Sequence, residues 1–212
     1  MDSPPSNHEP LSDTHMSLLS ASAMSAKPVR KAAGYARLSG WMTLGAGAIS
    51  TLFSLGSIPG MTFGILLSAI GMRELSLSRK LDLFDLRAPS KLAINQILLG
   101  SLLAGYAVFK VMSYDPADSV LAGSLGSDPT IASMPELAGT LEELGNIEYL
   151  LNLGIAAVLV VVAVVIQGGT ALYYWSKRKR VRQLHQHTPT WVLDVHAALQ
   201  NPEHSQSIKR AA

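Results

Sequence analysis

The chain has 212 residues and a formal net charge of +2, with 48% hydrophobic and 15% charged residues. Soluble domains average about 25% charged residues, so this composition favours a membrane protein if the apolar residues form long runs. The absence of cysteine excludes disulfides, thiolate catalysis and cysteine-based metal sites.

The first segment is rich in serine, proline and other small residues. We predict that residues 1–34 form a disordered cytoplasmic tail, because they contain too few large apolar residues to bury a core. The apolar stretch that begins near Met16 is too short and too rich in serine to be a signal peptide.

A stretch of 35 residues without a charged side chain lies between Arg37 and Arg73. A single helix of that length would be about 50 Å long, whereas the hydrocarbon core of a bilayer is about 30 Å thick. Pro59 and the glycine after it form a natural turn. Residues 35–75 are therefore predicted to form a transmembrane hairpin, with spans at about 38–57 and 59–75. A re-entrant pair that returns to the same side of the membrane is the alternative.

Small residues recur along both predicted spans at the spacing of one helical face. The predicted helix-packing residues are Gly40, Gly47, Ser50 and Ser54 in the first span, and Gly60, Gly64, Ser68 and Gly71 in the second. Lipid provides no hydrophobic driving force for helix pairing, so small residues that permit close approach carry the packing signal. We expect the faces of Gly47 and Gly64 to pack against each other. The alternative is that both helices are merely rich in glycine.

Residues 76–91 are predicted to form an amphipathic cytoplasmic linker helix that continues the second span. Leu77, Leu81 and Phe84 fall on one side of this helix. A basic stripe with a spacing of seven residues consists of Arg73, Lys80 and Arg87. Such a helix can lie on an anionic leaflet with its cations at the headgroups. A plain connector packed on the bundle is the alternative.

Two further spans are predicted at residues 92–114 and 149–176, because both stretches are long and apolar. The residues between them, 115–148, are predicted to form an acidic extracytoplasmic loop with a short helix that starts near Ser133. The intramembrane polar residues of these spans are Gln96, Asn152, Gln167 and Thr170. Amides within a bilayer need partners, so we interpret these side chains as contacts between helices. A polar path or a ligand site is the alternative.

Residues 177–212 are predicted to form a basic cytoplasmic tail with a short amphipathic helix after Thr188. The basic residues at the exit of the fourth span are Lys177, Arg178, Lys179, Arg180 and Arg182. Directly after a membrane helix, such a cluster indicates orientation and contact with anionic lipid rather than with nucleic acid. The short helix should dock on the membrane, the bundle or a partner.

The distribution of charge predicts the orientation of all four spans. Residues 113–148 contain no Lys or Arg, whereas both ends and the segment between the second and third spans are basic. The positive-inside rule then places both termini and the 76–91 linker in the cytoplasm, and the acidic loop outside. In a bacterium the protein would lie in the inner membrane.

The predicted fold is an all-α integral membrane protein: a four-helix transmembrane bundle whose first two helices form a tight hairpin, with short amphipathic cytoplasmic helices. We find no nucleotide-binding loop, nucleophile elbow or paired inward carboxylates. We therefore expect a non-enzymatic structural or accessory subunit without cofactor or metal. Its expected partners are anionic lipids of the inner leaflet and a second copy or another membrane protein. The alternatives are a small oligomeric channel or facilitator lined by Gln96, Asn152 and Gln167, and a membrane enzyme or sensor.

Overall fold

The computed structural model describes residues 12–114 and 135–200, and every regular element within these two ranges is helical. The helices are α1 (Asp13–Phe53), α2 (Ile58–Asp82), α3 (Ala88–Met112), α4 (Pro135–Val161), a π-helical segment (Val162–Gln167), α5 (Gly168–His187) and α6 (Thr190–Gln200). The all-α prediction is thus confirmed for the described residues. Most of the predicted acidic loop, residues 115–134, lies outside them, as does the predicted helix start near Ser133.

The chain divides into two compact units. The first comprises Met1–Gln96 together with Thr170–Ala212, and the second comprises Ile97–Gly169. The first unit contains α1, α2, the start of α3, nearly all of α5, and α6. The second contains the rest of α3, α4 and the π-helical segment.

The first helix begins far earlier than the sequence analysis predicted. Ser12 caps α1 by accepting a hydrogen bond from the His15 backbone N–H, and the His15 side chain accepts one from the Ser12 N–H. A buried stripe of small residues then follows at spacings of four and three: Ser22, Ala26, Val29, Ala33, Ala36 and Gly40. The predicted disordered tail, residues 1–34, is therefore helical from Asp13 onward, because its alanines have a helical face to bury.

The predicted hairpin turn lies between α1 and α2. Ser57 caps α2 by accepting a hydrogen bond from the Gly60 N–H at 3.4 Å, and Pro59 occupies the first turn, where no backbone donor is needed. Helix α2 then continues without a break to Asp82. The segment predicted as a linker helix, residues 76–91, is accordingly shared between the end of α2, a turn and the start of α3.

The turn after α2 corrects the predicted basic stripe. Phe84 has a φ of 59°, and its N–H and that of Asp85 donate to the carbonyls of Leu81 and Lys80 at 3.0 Å each. This is the hydrogen-bond pattern of a Schellman motif, which ends a helix with one residue in the left-handed region. Arg87 consequently lies beyond the helix and does not continue the helical face of Arg73 and Lys80.

The first unit contains a cluster of buried apolar residues, the apolar core. Its buried residues are Ala26, Val29, Ala32, Ala33, Ala36, Leu77, Leu81, Phe84, Ala88, Leu92, Ala93, Ala171, Tyr174, Val181, Leu184 and Leu193. They come from α1, α2, the turn after α2, α3, α5 and α6, so this core joins segments that are distant in sequence.

Two helical segments of the described residues are long and apolar enough to cross a membrane. They are Ala88–Met112 and Glu143–His187. This criterion uses length and composition only, and core helices of soluble proteins also meet it. The segments predicted as the first two spans do not meet it. The structure thus supports two candidate spans out of the four that the sequence analysis predicted.

Candidate functional site

Helices α1 and α2 approach each other closely enough for their backbones to touch. A Cβ atom added to Gly47 would lie 2.5 Å from the backbone nitrogen of Ser68 and 2.8 Å from the carbonyl oxygen of Gly64. A Cβ atom on Gly71 would lie 2.6 Å from the backbone nitrogen of Leu44. Only glycine fits at such distances, so we call this contact the glycine interface.

The remaining predicted packing residues lie along the same contact. Gly40 faces Leu75, and Gly60 faces the Ser54 side chain. Ser68 faces Gly47, and both Ser50 and Ser68 are partly buried. The structure therefore brings the two predicted stripes together, and it adds Thr51, which faces Gly64.

Large apolar side chains occupy the opposite faces of the same two helices. The side chains that project outward include Leu38, Trp41, Met42, Ile49, Phe53, Ile58, Ile65 and Met72. Phe53 is 89% exposed and Ile58 is 81% exposed. Water-soluble proteins place such residues inside and small polar residues outside, so the hairpin has the reverse arrangement.

The second unit contains a further close contact between helices. A Cβ atom on Gly100 of α3 would lie 3.1 Å from the carbonyl oxygen of Ala163 and 3.4 Å from Cβ of Gln167. Both partners belong to the π-helical segment, and Gln167 is partly buried there. Asn152 on α4 is partly buried in the same unit, and Thr170 on α5 is partly buried in the first unit.

A buried polar cluster lies where α2 meets the start of α3. Gln96 is fully buried, and its Nε2 donates to Oε1 of Glu74 at 2.6 Å. Asn95 is also fully buried, and its Nδ2 donates to the carbonyl oxygen of Ile70 at 3.3 Å. The sequence analysis identified the amide at 96 but missed Glu74. The position of Glu74 could have identified it, because it lies three residues after Gly71 on the same helical face.

Four basic side chains line one groove of the first unit, which we call the basic groove. Arg87 and Lys91 come from the turn before α3 and from α3 itself, and Arg178 and Arg182 come from α5. The groove has a volume of about 330 Å³ and is completed by Leu86 and Ser90. Arg178 and Arg182 lie four residues apart, on one face of α5. The sequence analysis predicted three of these cations as lipid-facing without bringing them together, and it did not include Lys91.

The other cations predicted to face lipid lie elsewhere on the surface. Arg73, Lys80, Lys179 and Arg180 are exposed outside the groove. Lys177 is partly buried, with its Nζ 4.4 Å from the centre of the Tyr173 ring. The guanidinium of Arg178 lies 5.7 Å from the centre of the Trp175 ring. Such pairs combine a cation with an amphipathic ring.

Helix α6 docks on the first part of α1 through His196. Arg30 Nη2 lies 3.1 Å from Nδ1 of His196, and Ser22 Oγ lies 2.9 Å from Nε2. An arginine can only donate, so Nδ1 accepts and Nε2–H donates to Ser22, which in turn donates to the carbonyl of Leu19. This chain requires a neutral imidazole. Burial, together with the charge of Arg30, lowers the pKa of His196 and favours that form.

The strained turn at Phe84 is held by neighbours from two other helices. Nε2 of His185 donates to the Phe84 carbonyl oxygen at 2.8 Å, and the guanidinium of Arg30 lies 5.8 Å from the centre of the Phe84 ring. The ring itself is 1% exposed. A bulky residue with positive φ is uncommon and persists only where its surroundings fix it.

Residues 12–114 and 135–200 contain no group of three or more His, Cys, Asp or Glu side chains that could hold a metal ion. No protein-family model matches the chain, and no curated protein and no solved structure is significantly similar to it. Function must therefore be argued from the sites themselves.

Proposed function

We propose that this chain is a multi-pass integral membrane protein with a structural or accessory role, which binds partner membrane proteins and anionic lipids and catalyses no reaction. The chain would cross the membrane four times. The four spans are the two helices of the hairpin, α3, and the apolar part of the stretch that runs from α4 into α5.

The observation that carries the proposal is the inverted arrangement of the hairpin. Its interior is formed by glycine and serine, while Trp41, Phe53 and Ile65 project outward. In water these side chains would expose a large apolar area at a cost of about 25 cal/mol per Å². In a bilayer the same side chains meet lipid tails, and close backbone contact becomes the main source of helix pairing.

Charged and aromatic residues at the ends of the apolar segments support a membrane boundary there. Arg37 and Asp82 form an ion pair at 2.6 Å between α1 and α2, directly before the charge-free part of α1. Trp175 and Tyr173 lie beside Arg178 and Lys177. Aromatic rings next to cations are typical of the point at which a span leaves the bilayer toward the cytoplasm.

With the boundary proposed here, the apolar core and the basic groove would lie in the cytoplasm. The groove would then lie at the surface of the inner leaflet, where its cations can contact the phosphates of anionic lipids. Each cation near such a surface contributes about 1 kcal/mol of binding free energy. We propose the groove as the main contact with anionic lipid, rather than the helical stripe expected from the sequence.

An accessory role fits the chemistry of the described sites. The glycine interface, the contact of Gly100 with the π-helical segment and the docking of α6 all join helices to helices. Covalent catalysis needs a nucleophile beside a base. Ser22 lies beside His196, but the contact of Arg30 with Nδ1 makes Nε2 the donor in that pair, so the imidazole does not accept the serine proton. The outward apolar faces of the hairpin could in turn contact a second copy or another membrane protein.

The alternative of an oligomeric channel draws less support from the geometry. Gln96, one of its three predicted lining residues, is fully buried and bound to Glu74. An amide engaged in this way stabilises the packing of α3 on α2. It is not free to contact water along a path.

Fractionation tests the membrane assignment, and lipid analysis tests the role of the groove. The protein should remain in the pellet when membranes are washed with alkaline carbonate, and it should be released by detergent. Purified protein should retain anionic lipid in native mass spectrometry. Release by carbonate alone would overturn the membrane assignment. Retention of neutral lipid only would overturn the role of the groove.

A further inference from the structure

The buried polar cluster contains three acceptor oxygens that have no hydrogen-bond donor. They are Oε2 of Glu74, Oδ1 of Asn95 and Oε1 of Gln96. All three residues are fully buried. Buried polar atoms are nearly always satisfied, so three such oxygens on two neighbouring helices need an explanation.

The carboxylate of Glu74 also lacks a counter-charge. No nitrogen of Lys, Arg or His lies within ion-pair distance of it in the described part of the chain. Its near neighbours are polar but neutral: Gln96, the Ser39 side chain of α1 and the ring of Tyr174 on α5. A buried carboxylate without a partner is costly, and inside a membrane protein it marks a functional site.

A proton, a water molecule and a cation differ in how many of the three oxygens they would satisfy and in whether they neutralise the Glu74 carboxylate. A proton on Oε2 of Glu74 would let this atom donate to one of the two amide oxygens, and the other amide oxygen would stay unsatisfied. A water molecule would supply two donors but would leave the charge. A cation neutralises the carboxylate and accepts lone pairs from every oxygen around it.

The composition of the cluster indicates the kind of cation. One carboxylate among neutral oxygens matches a single positive charge, whereas calcium sites in proteins use several carboxylates. Oxygen ligands suit a hard ion and exclude the soft metals, which prefer sulfur and nitrogen. The 2.6 Å contact of Gln96 with Glu74 holds two of the three residues close together, which favours a small ion over a large one.

We infer that Glu74, Asn95 and Gln96 bind a sodium ion between α2 and α3. The ion would join the end of the hairpin to the start of α3, and so couple the glycine interface to the third span. The inference goes beyond the proposed accessory role. It is also independent of the basic groove, because it rests on fully buried side chains.

Thermal stability of the full-length protein in detergent tests the inference. The melting temperature should rise by about 5 °C when choline chloride is replaced by sodium chloride well above its Kd, at constant ionic strength. Potassium chloride should give a smaller rise. Glu74→Gln should abolish the sodium effect, while Asp194→Asn, which removes an exposed carboxylate of α6, should preserve it. An equal sodium effect in Glu74→Gln, or none in the parent protein, would overturn the inference.

Carbodiimide labelling of the unmodified protein gives a second test that does not depend on the folding of a variant. A hydrophobic carbodiimide reacts with protonated buried carboxyl groups, and peptide mass spectrometry locates the adduct. Sodium chloride should protect Glu74 from labelling more strongly than potassium chloride at the same concentration. Labelling that sodium does not reduce would show a protonated carboxyl group and overturn the sodium site. A Glu74 that is unreactive in choline chloride as well would also overturn it.

Discussion

The apolar core and the glycine interface share helices α1 and α2, yet they are built in opposite ways. Around the core, the first part of α1 buries Val29 and its alanines and exposes Lys27 and Lys31 to the surroundings. Beyond Arg37, the same helix buries Gly47 and exposes Trp41. This contrast is what the proposed membrane assignment predicts for one continuous helix that passes from water into lipid, where each part follows the packing rules of its own solvent.

The two regions should therefore respond differently to mutation. In the apolar core, burial of large side chains supplies the stability, so truncation should be costly. At the glycine interface, close contact supplies the stability, so enlargement should be costly.

The largest effect is expected from Phe84→Ala in the apolar core. The ring of Phe84 is fully buried, and its loss should lower the free energy of unfolding by about 3 kcal/mol or more. The positive φ at this position remains unfavourable for alanine. Leu83→Ala is a matched control, because the side chain of Leu83 is adjacent in sequence and 42% exposed. Denaturant titration should show a small effect for Leu83→Ala, and equal effects would contradict this description of the core.

At the glycine interface, Gly47→Ala should lower stability by about 2 kcal/mol, because the helices must separate to admit one methyl group. Gly45 offers a control two residues away, where an added Cβ meets no atom within 4 Å. Gly45→Ala should be neutral or slightly stabilising, since alanine favours the helix. Melting temperatures in detergent compare the two variants. Equal tolerance would show that close contact at Gly47 does not stabilise the hairpin.

The basic groove should account for more of the lipid binding than the exposed cations of α2. Changing Arg87, Arg178 and Arg182 to Gln should weaken binding of anionic lipid by about 1 kcal/mol for each cation, more at low salt than at high salt. The matched triple change of Arg73, Arg79 and Lys80 to Gln should have a smaller effect. Lipid retention in native mass spectrometry measures both. A larger loss from the α2 variant would favour the basic stripe that the sequence predicted.

The smallest effect is expected from the titration of His196. Because burial and Arg30 lower its pKa, the unfolded or undocked state takes up a proton first as the pH falls. The contribution of His196 to docking is thus complete above its ordinary pKa of about 6.5 and is lost as the pH falls below that value. Spin labels at Ser20→Cys and Asp194→Cys, both exposed, would report the distance between α1 and α6. This distance should increase in the parent protein as the pH falls. An equal increase in His196→Gln would exclude this histidine as the cause.

Hydropathy and spacing predicted the hairpin turn and the small-residue stripes because both depend on local sequence. The turn follows from Pro59, and the stripe through Gly40 and Gly47 follows from helical periodicity. The same periodicity extends back through Ala36 to Ser22, but it was outweighed by the serine-rich composition of residues 1–34. The helical tail could therefore have been recognised from the spacing of its alanines.

Long-range contacts were beyond the reach of sequence patterns. The basic groove joins Arg87 to Arg178, and the docking of α6 joins His196 to Ser22. Nothing in the spacing of these residues relates one to the other. The Schellman turn was hidden for a different reason, because a phenylalanine occupies a position at which glycine is usual.

The most direct test of the change in environment along α1 is the accessibility of spin labels on that helix in lipid vesicles. Single cysteines can be introduced at will, since the chain has none. Met42 is 69% exposed beyond Arg37, and Ser20 is exposed in the first part of the helix. A label at Met42→Cys should collide more with oxygen, which concentrates in lipid, and a label at Ser20→Cys more with a water-soluble nickel complex. Preferential collision of both labels with the nickel complex would contradict the passage of α1 into the membrane.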